Sequence, residues 1–197
     1  MKLHAPFAIV FSVLALVALT VTTIGWPSLR NQQTNQIKPT DLSHEDLAGI
    51  TIDFARSGCY GDCPAYKLTI HGDGRVEYDG ENNVKNKGKK TGLLDVAAVR
   101  EIIAEFDAAK FLSIGQYSLK ECSCTVCTDM PTVTTGITTK STVHSVEHYY
   151  GCTCAPKALR LLEAKIDKIA KTEQWTGDVS KSGPFGTTCM NPQGARP

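Results

Sequence analysis

The sequence predicts an α+β domain: an antiparallel sheet built from two hairpins with two helices packed on it, disulfide-braced, and preceded by one N-terminal transmembrane or signal helix. Three observations lead there. Two pairs of segments alternate apolar and polar residues around short connections. Two other segments carry an apolar stripe at helical spacing. All eight cysteines lie beyond residue 58. The connections are too short for the crossovers of a parallel sheet, and runs of neighbouring strands with helices on one face belong to the α+β class. At 42% hydrophobic and 21% charged residues the chain has ordinary globular composition. A net charge of +1 gives no basic surplus for nucleic acid, so no nucleic-acid partner is expected.

Lys2 and His4 precede an apolar run over residues 5–26 that no charge interrupts. About 20 apolar residues at ~1.5 Å rise cross a ~30 Å hydrocarbon core. Residues 1–26 therefore read as an uncleaved signal anchor, with membrane contact through 5–26 and Trp26 at the interface. A cleaved signal peptide is the second reading, although Ala18-Leu19-Thr20 is a poor cleavage site. Lys2 stands against Arg30 and Lys38, so charge does not orient the segment, but cysteine usage does. Eight cysteines suit an oxidising compartment. The expected location is the inner membrane with a periplasmic or extracellular domain, or secretion after cleavage. Residues 27–47, rich in Asn, Gln and Thr, read as a flexible stalk. The domain spans 48–175, and 176–197 reads as a disordered tail.

Within the domain, Ile50, Ile52 and Phe54 alternate with polar residues as a half-buried strand. Tyr66, Leu68 and Ile70 do the same, Gly72-Asp73-Gly74 supplies the turn, and Val76 and Tyr78 return. A third strand around Val84 to Thr91 carries Lys85, Lys87, Lys89 and Lys90. An anionic partner is one use for them; a solvated edge that deters aggregation is the favoured one. Asp95 caps a helix with Val96, Val99, Ile102, Ile103 and Phe106 on one face. The helix ends near Lys110, and Phe111, Leu112 and Ile114 anchor its exit. Thr132–Thr139 and Thr142–Tyr149 form the second hairpin. Pro156 opens a second helix with a stripe of Leu159, Leu162, Ile166 and Ile169, and Trp175 packs at its end.

The cysteines fall in four places. Cys59 and Cys63 flank a short loop between two strands; Cys122, Cys124 and Cys127 lie after the first helix; Cys152 and Cys154 precede the second; Cys189 is in the tail. Structural disulfides are the leading reading. Cys59–Cys63 closes a local loop, and Cys124 or Cys127 is expected to join Cys152 or Cys154. A zinc site from Cys124-x-x-Cys127 and Cys152-x-Cys154 competes, with His144 and His148 nearby, but the second spacing is short. The two histidines share one face of a strand, where a packed or surface role outweighs ligation. Redox cycling of Cys124-x-x-Cys127 also competes, but that pair sits in a loop rather than at a helix N-terminus. Thr128 stands where haem attachment needs His.

Motifs for nucleophilic hydrolysis, phosphate cradling and zinc proteolysis are absent. Lys90-Thr91-Gly92 has no Ser-x-x-Lys partner. Asp73, Arg75 and Glu77 lack the ligand count of a calcium loop, and Asp129 reads as a turn residue. No enzyme activity, cofactor or metal is expected.

Arg56-Ser57-Gly58-Cys59-Tyr60-Gly61-Asp62-Cys63-Pro64-Ala65-Tyr66, with Gly72 to Tyr78, Phe111-Leu112-Ser113, Thr128 to Thr132, and Ile166-Asp167 ahead of Trp175, resembles a bacterial family classed as domain of unknown function 6438. The resemblance covers about residues 48 to 175. It implies an α+β domain, often behind an export signal, and no reaction. Cysteines 122, 124, 127, 152, 154 and 189 go beyond its core pattern. A weaker likeness, in Arg56-Ser57-Gly58 and in element order, is to emfourin, an inhibitor of thermolysin-like metalloproteases. The functional expectation is an extracytoplasmic binding module for an unknown protein partner, protease-inhibitor-like in one form. Its recognition loop comprises Arg56, Gly58, Tyr60, Gly61, Asp62 and Pro64. The alternatives are a structural envelope protein, or a thiol-redox or metal-binding protein using the Cys122–Cys154 cluster.

Overall fold

A computed structural model describes residues 42, 45–178, 183 and 189–190. Six strands form one antiparallel sheet: β1 (Thr51–Arg56), β2 (Ala65–His71), β3 (Arg75–Asn82), β4 (Gly88–Leu93), β6 (Thr132–Thr138) and β7 (Val143–Tyr149). Their order is β4-β3-β2-β1-β6-β7. The first strand is thus central. It joins the β2–β3–β4 meander to the β6–β7 hairpin within the one antiparallel sheet expected. A two-residue ladder of β5 (Val126–Cys127) with β8 (Cys189–Met190) lies apart from it.

Alternation decides which face is covered. Ile52 sits between Ile70 and Ile137, and Phe54 between Leu68 and Thr135. Val76 and Tyr78 extend these rows onto β3. All these residues are buried. Their neighbours Asp53, Lys67 and Glu77 point to solvent on the opposite, uncovered face. Helices α1 (Val96–Ala108) and α2 (Lys157–Ile169) cover the apolar face with Val99, Ile102, Ile103 and Phe106 from α1 and Leu159, Leu162 and Ile166 from α2. Asp95 caps α1 as expected, accepting from the Ala98 N–H at 2.7 Å. A short third helix, α3 (Glu173–Thr176), follows and carries Trp175 onto Tyr78, ring centroids 5.0 Å apart.

The turn at Gly72-Asp73-Gly74 needs its two glycines for different reasons. Gly74 has φ +91°, a left-handed conformation that a side chain strains. Gly72 has no such φ, but a Cβ there would meet the Leu47 carbonyl oxygen at 1.6 Å.

Several boundaries differ from the sequence reading. The stalk expected over 27–47 is already packed at Leu42, which is buried in the core and donates its N–H to Asp107 at 3.1 Å. Asp46 and Glu45 tie the same segment to Lys140 and Ser141. Of residues 176–197, expected as a tail, Thr176 is buried in α3 and Cys189 pairs with Cys127, and most of the others lie outside the described residues. Val96 is exposed rather than on the packed face of α1. The third strand is displaced to Gly88–Leu93 and is a sheet edge; Lys89 there lies opposite Asp79. The apolar segment 5–26 lies outside the described residues. Among the described residues no helix is long and apolar enough to cross a membrane.

Candidate functional site

At one end of the covered face the apolar rows give way to polar ones. Arg56, the last residue of β1, lies between Tyr66 of β2 and Val133 of β6. Opposite β6, His148 of β7 completes the row. Because these positions continue the inward alternation, a cation, a phenol and an imidazole are all driven under α2. That helix answers with two acids on its inner face, Glu163 and Asp167, four residues apart.

Asp167 is saturated by donors. Arg56 Nε and Nη2 reach its Oδ2 at 2.9 and 2.7 Å. Its Oδ1 accepts from the Tyr66 hydroxyl and from Thr172 Oγ1, the latter at 2.9 Å. Arg56 also donates Nη1 to the Tyr150 hydroxyl at 3.2 Å and lies over the Phe54 and Tyr150 rings. Burial opposes the guanidinium charge, yet Asp167 and then the two tyrosines outweigh it, raising the Arg56 pKa above its ordinary value. Burial and Asp167 hold the Tyr66 hydroxyl well above the usual phenol range. Burial pushes Tyr150 up to about 12 against the opposing pull of Arg56. The neutral phenols and the ion pair thus reinforce one another.

Alongside, His148 Nδ1 meets Glu163 Oε1 at 2.8 Å, with both side chains fully buried. His148 Nε2 has no partner among the described residues. Nδ1 is therefore the ring nitrogen engaged by Glu163, which also reaches it with Oε2 at 3.1 Å. His144 is likewise packed, with Nε2 against the Ile114 carbonyl at 3.0 Å. Both histidines have the packed role expected for them.

Above Arg56 and Asp167 opens a groove of about 950 Å³. Pro64, Tyr66, Met130, Pro131, Tyr150 and Ala164 supply its apolar walls; Lys168, Lys171, Glu173 and Asp178 supply charges around them. The Cys59–Cys63 loop stands at its edge. The bridge closes with Cα atoms 5.5 Å apart, as expected. Asn83 Nδ2 pins the loop through the Gly61 and Cys63 carbonyls at 3.1 and 3.2 Å, and the Asp62 N–H donates to the Gly183 carbonyl at 3.1 Å. Ser57 and Thr132 exchange two hydrogen bonds of 2.8 Å at its base. Tyr60 projects from the loop 71% exposed.

The predicted recognition set is therefore divided. Tyr60 and Asp62 sit on the braced loop and Pro64 lines the groove. Gly58 lies on the loop, where a Cβ would meet nothing within 4 Å. Arg56 is not a free contact: its donors are committed to Asp167 and Tyr150, and it forms part of the floor. Sequence reasoning missed the roles of Tyr150, Glu163 and Asp167. The available signal was that Glu163 and Asp167 fall on the α2 face of Leu159, Leu162 and Ile166, where a carboxylate needs a buried partner.

The remaining cysteines cluster beyond β7. Cys122 pairs with Cys152, Cys124 with Cys154, and Cys127 with Cys189. The expected link from Cys124 to the 152–154 pair is present. Cys127 is not a partner of Cys124: it leaves the cluster on β5 to meet β8, so the Cys124-x-x-Cys127 unit of the zinc and redox readings is not assembled.

Residues 50–170, well over half of the chain, match the family described as a domain of unknown function (DUF6438). The chain belongs to that family. No curated protein matches it. Within the DUF6438 span lie the whole six-stranded sheet, the Cys59–Cys63 loop and the Arg56–Asp167 floor; Cys189, α3 and its Trp175 lie beyond it. The Cys127–Cys189 bridge therefore ties a segment outside the family's span back onto the domain.

Proposed function

We propose that this DUF6438 domain is a binding module, held outside the cytoplasm by the apolar segment 5–26 or released from it, that grips a protein partner between the Cys59–Cys63 loop and the groove. The carrying observation is the pairing of a rigid, exposed aromatic with an apolar groove whose charged floor is already neutralised. Tyr60 is a large contact on a loop braced by a disulfide and by Asn83, so little ordering entropy is lost on binding. The walls offer an apolar side chain a dry seat, while the rim lysines and acids set orientation. The floor argues against hydrolytic chemistry, because its carboxylate and guanidinium saturate each other and leave no activated nucleophile.

The resemblance to emfourin suggests the protease-inhibitor form of this reading. The test is capture from envelope extract by the full-length chain in mild detergent, with a parallel assay on thermolysin-like enzymes. Tyr60→Ala is expected to leave folding within about 0.5 kcal/mol and to weaken capture at least about tenfold, as an exposed aromatic anchor would. A partner held equally well by Tyr60→Ala and by a groove-filling Ala164→Phe variant would refute this placement. Absence of any saturable partner would favour the structural alternative.

A further inference from the structure

The four sulfurs of Cys122, Cys124, Cys152 and Cys154 lie within 4.8 Å of one another. Across the two bridges, Cys124 Sγ is 3.4 Å from Cys122 Sγ and 3.6 Å from Cys152 Sγ, and Cys152 Sγ is 3.8 Å from Cys154 Sγ. Metal–sulfur bonds of about 2.3 Å place tetrahedral ligand sulfurs about 3.8 Å apart. The cross-bridge sulfurs are thus in van der Waals contact, and the same spacings approximate the edges of a tetrahedron of thiolates.

The surroundings carry a second mark of a thiolate site. The Cys154 N–H donates to Cys124 Sγ at 2.9 Å; the single Thr153 hydroxyl proton goes to the Thr125 carbonyl, 3.0 Å from Oγ1. Donors aimed at sulfur stabilise the anionic thiolate far more than a disulfide sulfur, because the bond becomes charge-assisted. Arg160 Nη2 donates to the Cys152 carbonyl at 3.1 Å and so brings a fixed positive charge to the cluster. The backbone is held independently of sulfur: the Thr153 N–H donates to the Thr125 carbonyl at 3.1 Å, and the Cys127 N–H to the Gly151 carbonyl at 2.8 Å.

We propose that, once reduced, this quartet is a tetrathiolate site for a divalent soft or borderline ion of the zinc class. Each disulfide takes two electrons and two protons from one dithiol reductant, which leaves as its own cyclic disulfide. Two dithiols thus yield four cysteine thiols. A dication then displaces four protons and forms four metal–sulfur bonds, leaving a complex of charge −2 that Arg160 and the Cys154 N–H offset. Cys154 is the exposed member through which reduction starts. The site is separate from the groove and stands whether or not the groove binds a protein.

The experiment uses the full-length chain in mild detergent, reduced with dithiothreitol, freed of it anaerobically and titrated with Co²⁺. The expected result is one equivalent bound, with the sulfur-to-metal charge-transfer and intense visible bands of a tetrahedral four-sulfur complex, displaced by Zn²⁺. Cys124→Ser and Cys154→Ser each abolish that spectrum, whereas the Cys127→Ser/Cys189→Ser double variant keeps it at one equivalent. A reduced chain that takes up no cobalt, folded or unfolded by circular dichroism, overturns the proposal. So does a four-sulfur spectrum that survives Cys124→Ser or is lost with Cys127 and Cys189.

Discussion

Replacing Asp167 by Asn tests whether the polar end of the core is held by charge pairing. The substitution keeps shape and removes only the negative charge that faces Arg56 Nε and Nη2 at 2.9 and 2.7 Å. Arg56 has 15% side-chain exposure, so its charge would be left mostly desolvated. Removing one member of a buried pair costs about 3–5 kcal/mol, a large share of the roughly 5–15 kcal/mol that holds a domain. Arg56→Met strands Asp167 in the same way and is expected to cost a similar amount. The double variant Arg56→Met/Asp167→Asn strands no charge, and the amide oxygen still accepts from the Tyr66 and Thr172 hydroxyls. Its remaining cost is the weakening of those two bonds from charge-assisted to neutral, about 1 kcal/mol each. The double variant should therefore be no less stable than either single, with a coupling energy above about 2 kcal/mol. Urea denaturation followed by Trp175 fluorescence, in a Trp26→Phe background, measures all four corners. Single losses that add within about 0.5 kcal/mol would show independent sites and refute the charge-pair account of the floor.

Alkaline pH attacks the same region. Burial raises Tyr78 and Tyr150 from 10.0 to about 12 in the folded chain. The unfolded chain then ionises first, binds fewer protons than the folded one, and gains on it as pH rises. Their stabilisation is complete below pH 10 and is lost towards pH 12 at up to roughly 1.4 kcal/mol per pH unit for each tyrosine; a fraction of the tyrosinate absorbance that appears only with unfolding checks this. The bridges should differ in worth because they close loops of different length. Cys59–Cys63 spans four residues and Cys127–Cys189 spans 62, which loop-closure entropy converts to about 2 and about 4 kcal/mol. Paired Cys→Ser variants compared by urea midpoint test the ranking, and equal losses would refute it.

Local order was legible where each side chain's fate depends on near neighbours. The β2–β3 hairpin followed from alternation plus Gly74, and α1 from Asp95 and a five-residue stripe of which all but Val96 are buried. Strand order was not, because β1 finds β6 some eighty residues away through a row of Ile and Phe that would suit several pairings. The disulfides divide the same way. Cys59–Cys63 is a local loop, whereas Cys127–Cys189 depends on where β8 returns. The groove floor was least legible. Arg56 looks like a recognition residue in a motif beside exposed Tyr60; its burial is decided by Asp167, which alternates with apolar residues on a helix far along the chain. A carboxylate on an apolar stripe signals a buried partner without saying which.

Tyr150 explains why the cysteine cluster and the groove lie next to each other. It follows β7 directly, and Cys152 comes two residues later, so one short segment serves both. Arg56 lies over its ring at 5.4 Å from the centroid and Arg160 at 5.0 Å. Arg160 Nη2 also donates to the Tyr150 and Cys152 carbonyls, both at 3.1 Å. His148, two residues before Tyr150, meets the same ring at a 34° tilt with centroids 4.7 Å apart and is itself fixed by Glu163. The segment from His148 to Cys152 is therefore clamped at both ends, by a buried acid at one and by sulfur at the other. The first clamp lies within the core and needs no cysteine. The second holds an irregular loop that buries little apolar surface of its own, and there a covalent or metal-mediated cross-link supplies what packing does not.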